Sequence, residues 1–139
     1  MKMSLLLDTS CLVSFFISDA HHEKAKLLRD RILRREIKGL ISALSLAELC
    51  GVIRRNKGEA EATQVKNAMK DIAGGKIISI IPISNSDASQ ASDLAIKMGL
   101  KGADAIIVNA ASQSRSKIVT FDEEIKKKAK SSVEFYETL

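Results

Sequence analysis

Four of the 17 acidic residues stand among apolar or small neighbours, where charged side chains are unusual. They are Asp8, Glu48, Asp104 and Asp122, in the runs 6–9, 46–49, 102–106 and 119–122. Burying an unpaired carboxylate is costly, so acids in such surroundings indicate either a functional site or a local structural role. Carboxylate oxygens without His or Cys in the same runs are hard ligands, suited to Mg²⁺ or Mn²⁺ and poorly suited to Zn²⁺.

Each of these acids also has a plain structural explanation. Ser45 and Glu48 have the spacing of a capping box, in which the Glu48 carboxylate would accept from the Ser45 backbone N–H. The three aspartates could each cap a helix or lie near its positive end. Four independent caps have no reason to be the four acids with apolar neighbours, and this favours a shared site.

The chain as a whole is basic, with 22 Lys and Arg against 17 Asp and Glu, a net charge of +5 and a pI of about 9.3. A basic surface around an acidic crevice favours a nucleic-acid partner. A bound divalent ion can activate a water, and two ions about 3.5–4 Å apart can stabilise both oxygens exchanged at a phosphodiester. Aromatic residues make up only 4% of the chain, so we expect contact with the nucleic-acid backbone rather than an aromatic base-stacking platform.

Short apolar runs alternate with segments of helical spacing along the chain. The runs predict strands over residues 4–7, 39–43, 77–81, 117–121 and 133–136, and helical spacing covers residues 25–32, 46–53, 65–72 and 88–98. Runs without strict alternation, such as 5–7 and 77–81, are typical of strands covered on both faces. The pattern therefore predicts a parallel sheet with helices on both sides. Gly39, Gly74–Gly75 and Gly99 are predicted to end helices in the left-handed conformation, and Pro82 to close the third strand.

The predicted elements place all four acids at one edge of the sheet. Asp8 and Asp122 each end a predicted strand, whereas Glu48 and Asp104 fall in the first turn of a predicted helix. In open parallel sheets the ligand crevice lies outside the carboxyl ends of the strands. We therefore expect the four side chains to face one crevice.

In order and spacing, the four acidic runs resemble the successive acidic motifs of the PIN-domain family, over nearly the whole chain. The resemblance implies a three-layer α/β/α sandwich with a parallel five-stranded sheet in the order 3-2-1-4-5. It implies one PIN-like nuclease domain over residues 1–139. It also implies a metal-dependent endoribonuclease that hydrolyses RNA phosphodiester bonds, as in VapC-type toxins paired with antitoxins.

The resemblance assigns both catalysis and metal ligation, with Mg²⁺ or Mn²⁺, to the same four acids: Asp8, Glu48, Asp104 and Asp122. Ser10 is carried over as the hydroxyl partner beside the site. Many family members carry a T-x-D-x-D-F pattern after the fourth strand, whereas this chain has Glu124 where the second acid would stand. Glu124 is expected to replace that acid with a longer side chain. This departure concerns the geometry of a second metal ion and not the existence of the first.

The expected partners are RNA, a second copy of the chain and an antitoxin protein. The homodimer prediction rests on the resemblance and on apolar positions between Leu46 and Ile72 that a small sheet would leave uncovered. The longest stretches without charge have ten residues, short of the roughly 18 that a membrane span needs. Asp8 interrupts the apolar stretch that a signal peptide would require, so we expect a cytoplasmic protein.

Two other functions stay open at this point. An inactive PIN-like domain could serve as an interaction module, although four intact acids argue against it. A signalling domain could use Asp8 or another strand-end Asp as a phosphoacceptor, but the paired acids expected directly after the first strand are missing. His21 and His22 are expected to be exposed or packed rather than catalytic. The two cysteines, Cys11 and Cys50, are expected to be reduced core thiols.

Overall fold

The computed structural model describes residues 2–137, which form four strands and seven helices. In chain order these are β1 (Met3–Leu7), α1 (Thr9–Phe16), α2 (His22–Leu33), β2 (Ile37–Ser42), α3 (Ala43–Lys57), α4 (Glu59–Gly74), β3 (Ile78–Ile81), α5 (Asn85–Met98), α6 (Gly102–Ser114), β4 (Lys117–Val119) and α7 (Glu123–Ala129). Each helix among residues 2–137 is too short or too polar to span a bilayer.

The four strands form one parallel sheet in the order β3-β2-β1-β4. The chain moves outward from β1 to β3 on one side and then returns to place β4 on the other side of β1. The strand order therefore reverses between the paired strands β1 and β4, and ligand crevices open outside the carboxyl ends of the strands at such points. The predicted parallel sheet and the order of its first four strands are confirmed.

The predicted fifth strand over residues 133–136 is reduced to a single parallel bridge between Ile118 and Phe135. Ile118 N donates to Glu134 O at 3.0 Å, and Tyr136 N donates to Ile118 O at 2.9 Å. Because backbone groups alternate in direction along a strand, the three-residue β4 presents only Ile118 to the outer edge. The other two residues of β4 face β1, so one bridge is all that this edge can form.

Helices cover both faces of the sheet, as the sequence predicts. Leu5 and Leu7 of β1 point into a core shared with α1 to α4, whereas Leu6 points into a second core shared with α5 to α7. All three leucines are fully buried. A strand buried on both faces has no polar alternation, which explains the unbroken apolar run in the sequence. The three-layer α/β/α architecture is confirmed.

The apolar side chains of α3 and α4 pack into the first core rather than standing free. The residues concerned are Leu46, Leu49, Ile53, Ala62, Val65, Met69 and Ile72. None of the five well-exposed large apolar residues in the described part of the chain lies on α3 or α4. The uncovered face that motivated the homodimer is therefore not found on these helices, and the homodimer stays a prediction.

Only one of the predicted glycine caps is confirmed. Gly99 ends α5 in the left-handed conformation, with φ of 69°. Gly39 instead lies inside β2, where an added Cβ would stand 3.1 Å from Ile78 Cγ1. Its missing side chain allows the close approach of β3. The left-handed residue after α2 is Arg35, with φ of 62°.

The turn after α4 also differs from the prediction. Gly74 is the last residue of the helix, and Gly75 has φ of −80°, so neither glycine is left-handed. Lys76 takes that conformation instead, with φ of 61°. Pro82 directly follows β3, as predicted.

The predicted capping box of Ser45 and Glu48 is wrong, because α3 begins earlier. β2 runs directly into the helix, and the Ser42 hydroxyl accepts from Leu44 N at 3.2 Å as the N-cap. Glu48 is then the sixth residue of α3, in its second turn rather than its first. Its carboxylate is thus beyond the helix start and available for contacts with other elements.

Candidate active site

Asp8 is the most enclosed of the four acids. It follows β1, caps α1 and is 7% exposed. Asp8 Oδ1 accepts from Thr9 N at 2.8 Å, and Oδ2 accepts from Thr120 Oγ1 at 2.7 Å. Ser10 Oγ stands 3.3 Å from the same Oδ2. Asp8 is therefore both a helix cap and a buried acid held between β1 and β4.

Burial raises the pKa of Asp8 above its ordinary value. Hydrogen bonds from Thr120, Thr9 and Ser10 stabilise the carboxylate and act in the opposite direction, while the charge of Glu48 adds to the rise. The net effect is that the ionised form of Asp8 is less stable in the folded protein than in water, because too little positive charge offsets its burial. A cation beside Asp8 would relieve this deficit.

Thr9 connects Asp8 to Glu48. While its backbone N binds Asp8, its Oγ1 donates to Glu48 Oε1 at 2.7 Å and lies 3.1 Å from Ser45 Oγ. Glu48 is half-buried. Because α3 follows β2, the neighbour of β1, the second acid lies at the same edge of the sheet as Asp8.

Ser10 and Thr120 join the residues that follow β1 to those that follow β4. Ser10 Oγ accepts from Phe121 N at 3.1 Å and stands 3.3 Å from Thr120 Oγ1. Thr120 Oγ1 in turn accepts from Asp122 N at 3.1 Å. Sequence reasoning selected Ser10 but missed Thr9 and Thr120, whose only signal is their position as polar residues directly after buried strands.

Asp104 occupies the first turn of α6 and is half-buried. Burial raises its pKa, and the charges of Asp8 and Asp122 raise it further, while Lys101 acts in the opposite direction. The charges that raise the pKa of Asp104 thus belong to residues that follow β1 and β4.

Asp122 and Glu124 are both exposed at the start of α7. Asp122 caps the helix by accepting from Glu124 N at 2.9 Å. The Glu124 carboxylate accepts from Lys128 Nζ at 2.6 Å, and this contact lowers its pKa. Glu124 is thus paired with a lysine of its own helix, and its charge also raises the pKa of Asp104.

The two histidines are exposed or partly packed, as predicted, whereas only Cys11 of the two cysteines is a core residue. His21 is exposed, His22 is half-buried, and the His21 ring stacks on Phe121. Cys11 is buried and Cys50 half-buried, both as free thiols. Burial raises the pKa of Cys11, and the charge of Asp8 raises it further, so this thiol stays neutral.

Comparison with known families decides the family of this chain. The model of the PIN domain matches residues 5–131. The chain belongs to the PIN-domain family. No protein with a curated description matches the sequence.

Solved structures share the PIN fold over almost the full length. Mycobacterium tuberculosis VapC20, described as a sarcin-ricin loop cleaving toxin, superposes with a TM-score of 0.75 at 18% identity, covering 96% of this chain and 99% of that one. VapBC2 from Rickettsia felis, bound to a promoter DNA fragment, gives 0.69 at 15% identity over 99% and 100%. A toxin-antitoxin complex from Klebsiella pneumoniae gives 0.64 at 23% identity over 90% and 89%. At these identities the likeness shows a shared fold.

The acids of this PIN domain suit a divalent cation by chemical type. They offer carboxylate oxygens, with hydroxyls beside them, and the neutral Cys11 thiol adds no soft ligand. Among residues 2–137, no three His, Cys, Asp or Glu side chains stand close enough together to hold an ion as they are placed. For three acids to share one ion, the more exposed carboxylates would have to move toward Asp8.

Proposed function

We propose that this PIN domain is a metal-dependent endoribonuclease that hydrolyses RNA phosphodiester bonds. The observation that carries the proposal is the buried Asp8 carboxylate at the reversal of strand order, linked to Glu48 through Thr9. Burial raises the pKa of Asp8 despite the hydrogen bonds to it from Thr9, Ser10 and Thr120, so keeping this carboxyl ionised in the fold has a free-energy cost. A site that binds a cation and a phosphodiester accounts for that cost.

The four acids, Asp8, Glu48, Asp104 and Asp122, would hold Mg²⁺ or Mn²⁺. When bound, such an ion supplies a more acidic water and positive charge for the phosphate oxygens. Asp8 is oriented by Thr120 and Thr9, and Ser10 ties the loop after β4 to the start of α1. These contacts would keep the carboxylate fixed while substrate binds. The net charge of +5 favours encounter with a polyanion.

We further propose that the protein is the toxin of a toxin-antitoxin pair that acts on cytoplasmic RNA, with a homodimer as its assembly. Support comes from the structural neighbours, which include a toxin-antitoxin complex and a toxin that cleaves the sarcin-ricin loop. The antitoxin would be a protein that covers the acidic edge and so blocks RNA.

The test is incubation of the purified protein with end-labelled structured and single-stranded RNAs in Mg²⁺, Mn²⁺ or EDTA. We expect cleavage with either ion, none in EDTA, and loss in Asp8→Asn. Asp87→Asn is a matched control, since Asp87 caps α5 in a capping box with Ser84. Cleavage that persists in EDTA or in Asp8→Asn would contradict the assignment.

A second candidate is an inactive interaction module, favoured by the spacing of the acids in the described part of the chain, where no group of three could hold an ion as placed. Titration calorimetry with Mn²⁺ separates the two functions. No heat of binding, together with no cleavage of any RNA, would support the module.

A further inference from the structure

An open cleft of about 440 Å³ adjoins the acids. Thr9, Ser10 and Asp122 form its polar side, while Val13 and Val52 belong to its apolar side. Thr9 and Ser10 also contact Glu48 and Asp8, so whatever occupies this cleft lies next to the candidate catalytic centre.

Two aromatic rings contribute to the wall of this cleft. His21 and Phe121 stack with ring centroids 4.2 Å apart and planes at 5°. Phe121 is half-buried, and His21 is exposed. Of the four phenylalanines, Phe121 alone lines this cleft.

The stacked pair is fixed relative to the acids from both sides. His21 N donates to Asp19 Oδ1 at 3.0 Å, and Asp19 Oδ2 accepts from Ser14 Oγ of α1 at 2.8 Å. Phe121 N donates to Ser10 Oγ, which stands beside Asp8. Both rings are therefore tied to α1, the helix that Asp8 caps.

We propose that this cleft binds one nucleobase of the RNA next to the cleaved phosphodiester, with His21 and Phe121 as its stacking wall. The inference rests on the proposed ribonuclease function and adds His21 and Phe121 as the residues that give specificity for the RNA substrate. The described lining of this cleft contains Asp19 and no Lys or Arg that could pair with a phosphate, whereas the neutral face of a base gains from apolar and aromatic side chains. Stacking of a base on an aromatic ring changes affinity roughly 10- to 100-fold. The low aromatic content predicts contact with the RNA backbone rather than an aromatic base-stacking platform. This cleft adds a single base contact to those backbone contacts.

The test uses a single-stranded RNA that the wild-type protein cleaves, remade with one abasic nucleotide at each position in turn. We expect the wild type to lose about tenfold in kcat/KM when the abasic nucleotide falls at one position beside the cleaved bond. His21→Ala and Phe121→Leu should lose a similar factor on intact RNA and little more on that abasic RNA. The same pattern is expected for binding of these RNAs in EDTA, measured in the Asp8→Asn background.

Leu27→Ala, an exposed position on α2 outside the cleft, is the control and should behave as wild type on every RNA. Because His21 is exposed, His21→Ala is expected to fold even if Phe121→Leu does not. The inference is overturned if no abasic position matters, or if His21→Ala loses as much on abasic as on intact RNA. If the wild type cleaves RNA but no abasic position matters, only the base-binding inference fails. If the wild type cleaves no RNA at all, it is the proposed ribonuclease function that fails.

Discussion

Thr120 Oγ1 donates to Asp8 Oδ2 at 2.7 Å, a contact between residues 112 positions apart in the chain. The same hydroxyl accepts from Asp122 N at 3.1 Å. Thr120 therefore fixes the residue after β1 and the start of α7 at once. It is only 3% exposed, so water does not replace these bonds readily.

Replacing Thr120 by Val keeps the shape of the side chain and removes its hydrogen bonds. A buried acceptor that loses its donor costs about 1–3 kcal/mol, so we expect Thr120→Val to lower the free energy of unfolding in that range. Urea unfolding of the metal-free protein measures the change. Thr63→Val is the matched control, because the exposed Thr63 only donates to Glu59 O of its own helix. Equal losses in the two variants would contradict the role of Thr120.

Divalent ions should stabilise the fold through the acids. An ion that binds only the folded protein adds about 2.7 kcal/mol when its free concentration is 100 times its dissociation constant. We expect Mn²⁺ and Mg²⁺ to raise the melting temperature, and the rise to shrink in Asp8→Asn and Asp104→Asn. Asp87→Asn, which removes an acid from the cap of α5, should keep the full rise. A melting temperature that ignores both ions would refute metal binding.

The stability of the metal-free protein should depend on pH through Asp8. Burial raises the pKa of Asp8 above 3.8, so the folded protein holds this proton to higher pH than the unfolded chain does. Its contribution to the free energy of unfolding is therefore greatest below pH 3.8 and falls as pH rises through the native pKa. Asp8→Asn lacks this fall. We expect the variant to gain stability relative to wild type as pH rises, measured by unfolding in EDTA.

Asp87 provides a control of opposite sign. The backbone N–H of Ser84 lowers the pKa of Asp87, so its contribution is present above pH 3.8 and is lost as pH falls through the native pKa. Asp87→Asn should therefore lose stability relative to wild type as pH rises. If both variants shift in the same direction, the argument from burial of Asp8 is wrong.

Glu48 and Glu124 should differ in their effect on RNA cleavage. Glu48 is joined to Asp8 through Thr9, whereas Glu124 is paired with Lys128. We expect Glu48→Gln to lower kcat/KM by about 100-fold or more, and Glu124→Gln to change it by less than about threefold. Steady-state cleavage assays in Mn²⁺ compare them. A loss in Glu124→Gln as large as that in Glu48→Gln would show that Glu124 serves in the site despite its lysine partner.

The sequence by itself determined the class of fold and the edge of the sheet where Asp8 and Asp122 lie. Leu5 to Leu7 form an apolar run without alternation, and such a run is a local property of a strand covered on both faces. Asp8 and Asp122 follow strands, and parallel strands bring their carboxyl ends to one edge. The hydrophobic pattern and the order of strands and acids along the chain were therefore sufficient to predict these features.

Only the tertiary structure decided how that edge is built. Thr9, Ser10 and Thr120 connect residues 36 to 112 positions apart, and no local pattern encodes such contacts. Ser42 rather than Ser45 caps α3 because β2 runs directly into the helix. The fifth strand shrinks to one bridge because β4 offers only Ile118 at its outer edge. Each of these outcomes depends on where neighbouring elements end in space, and packing sets those positions.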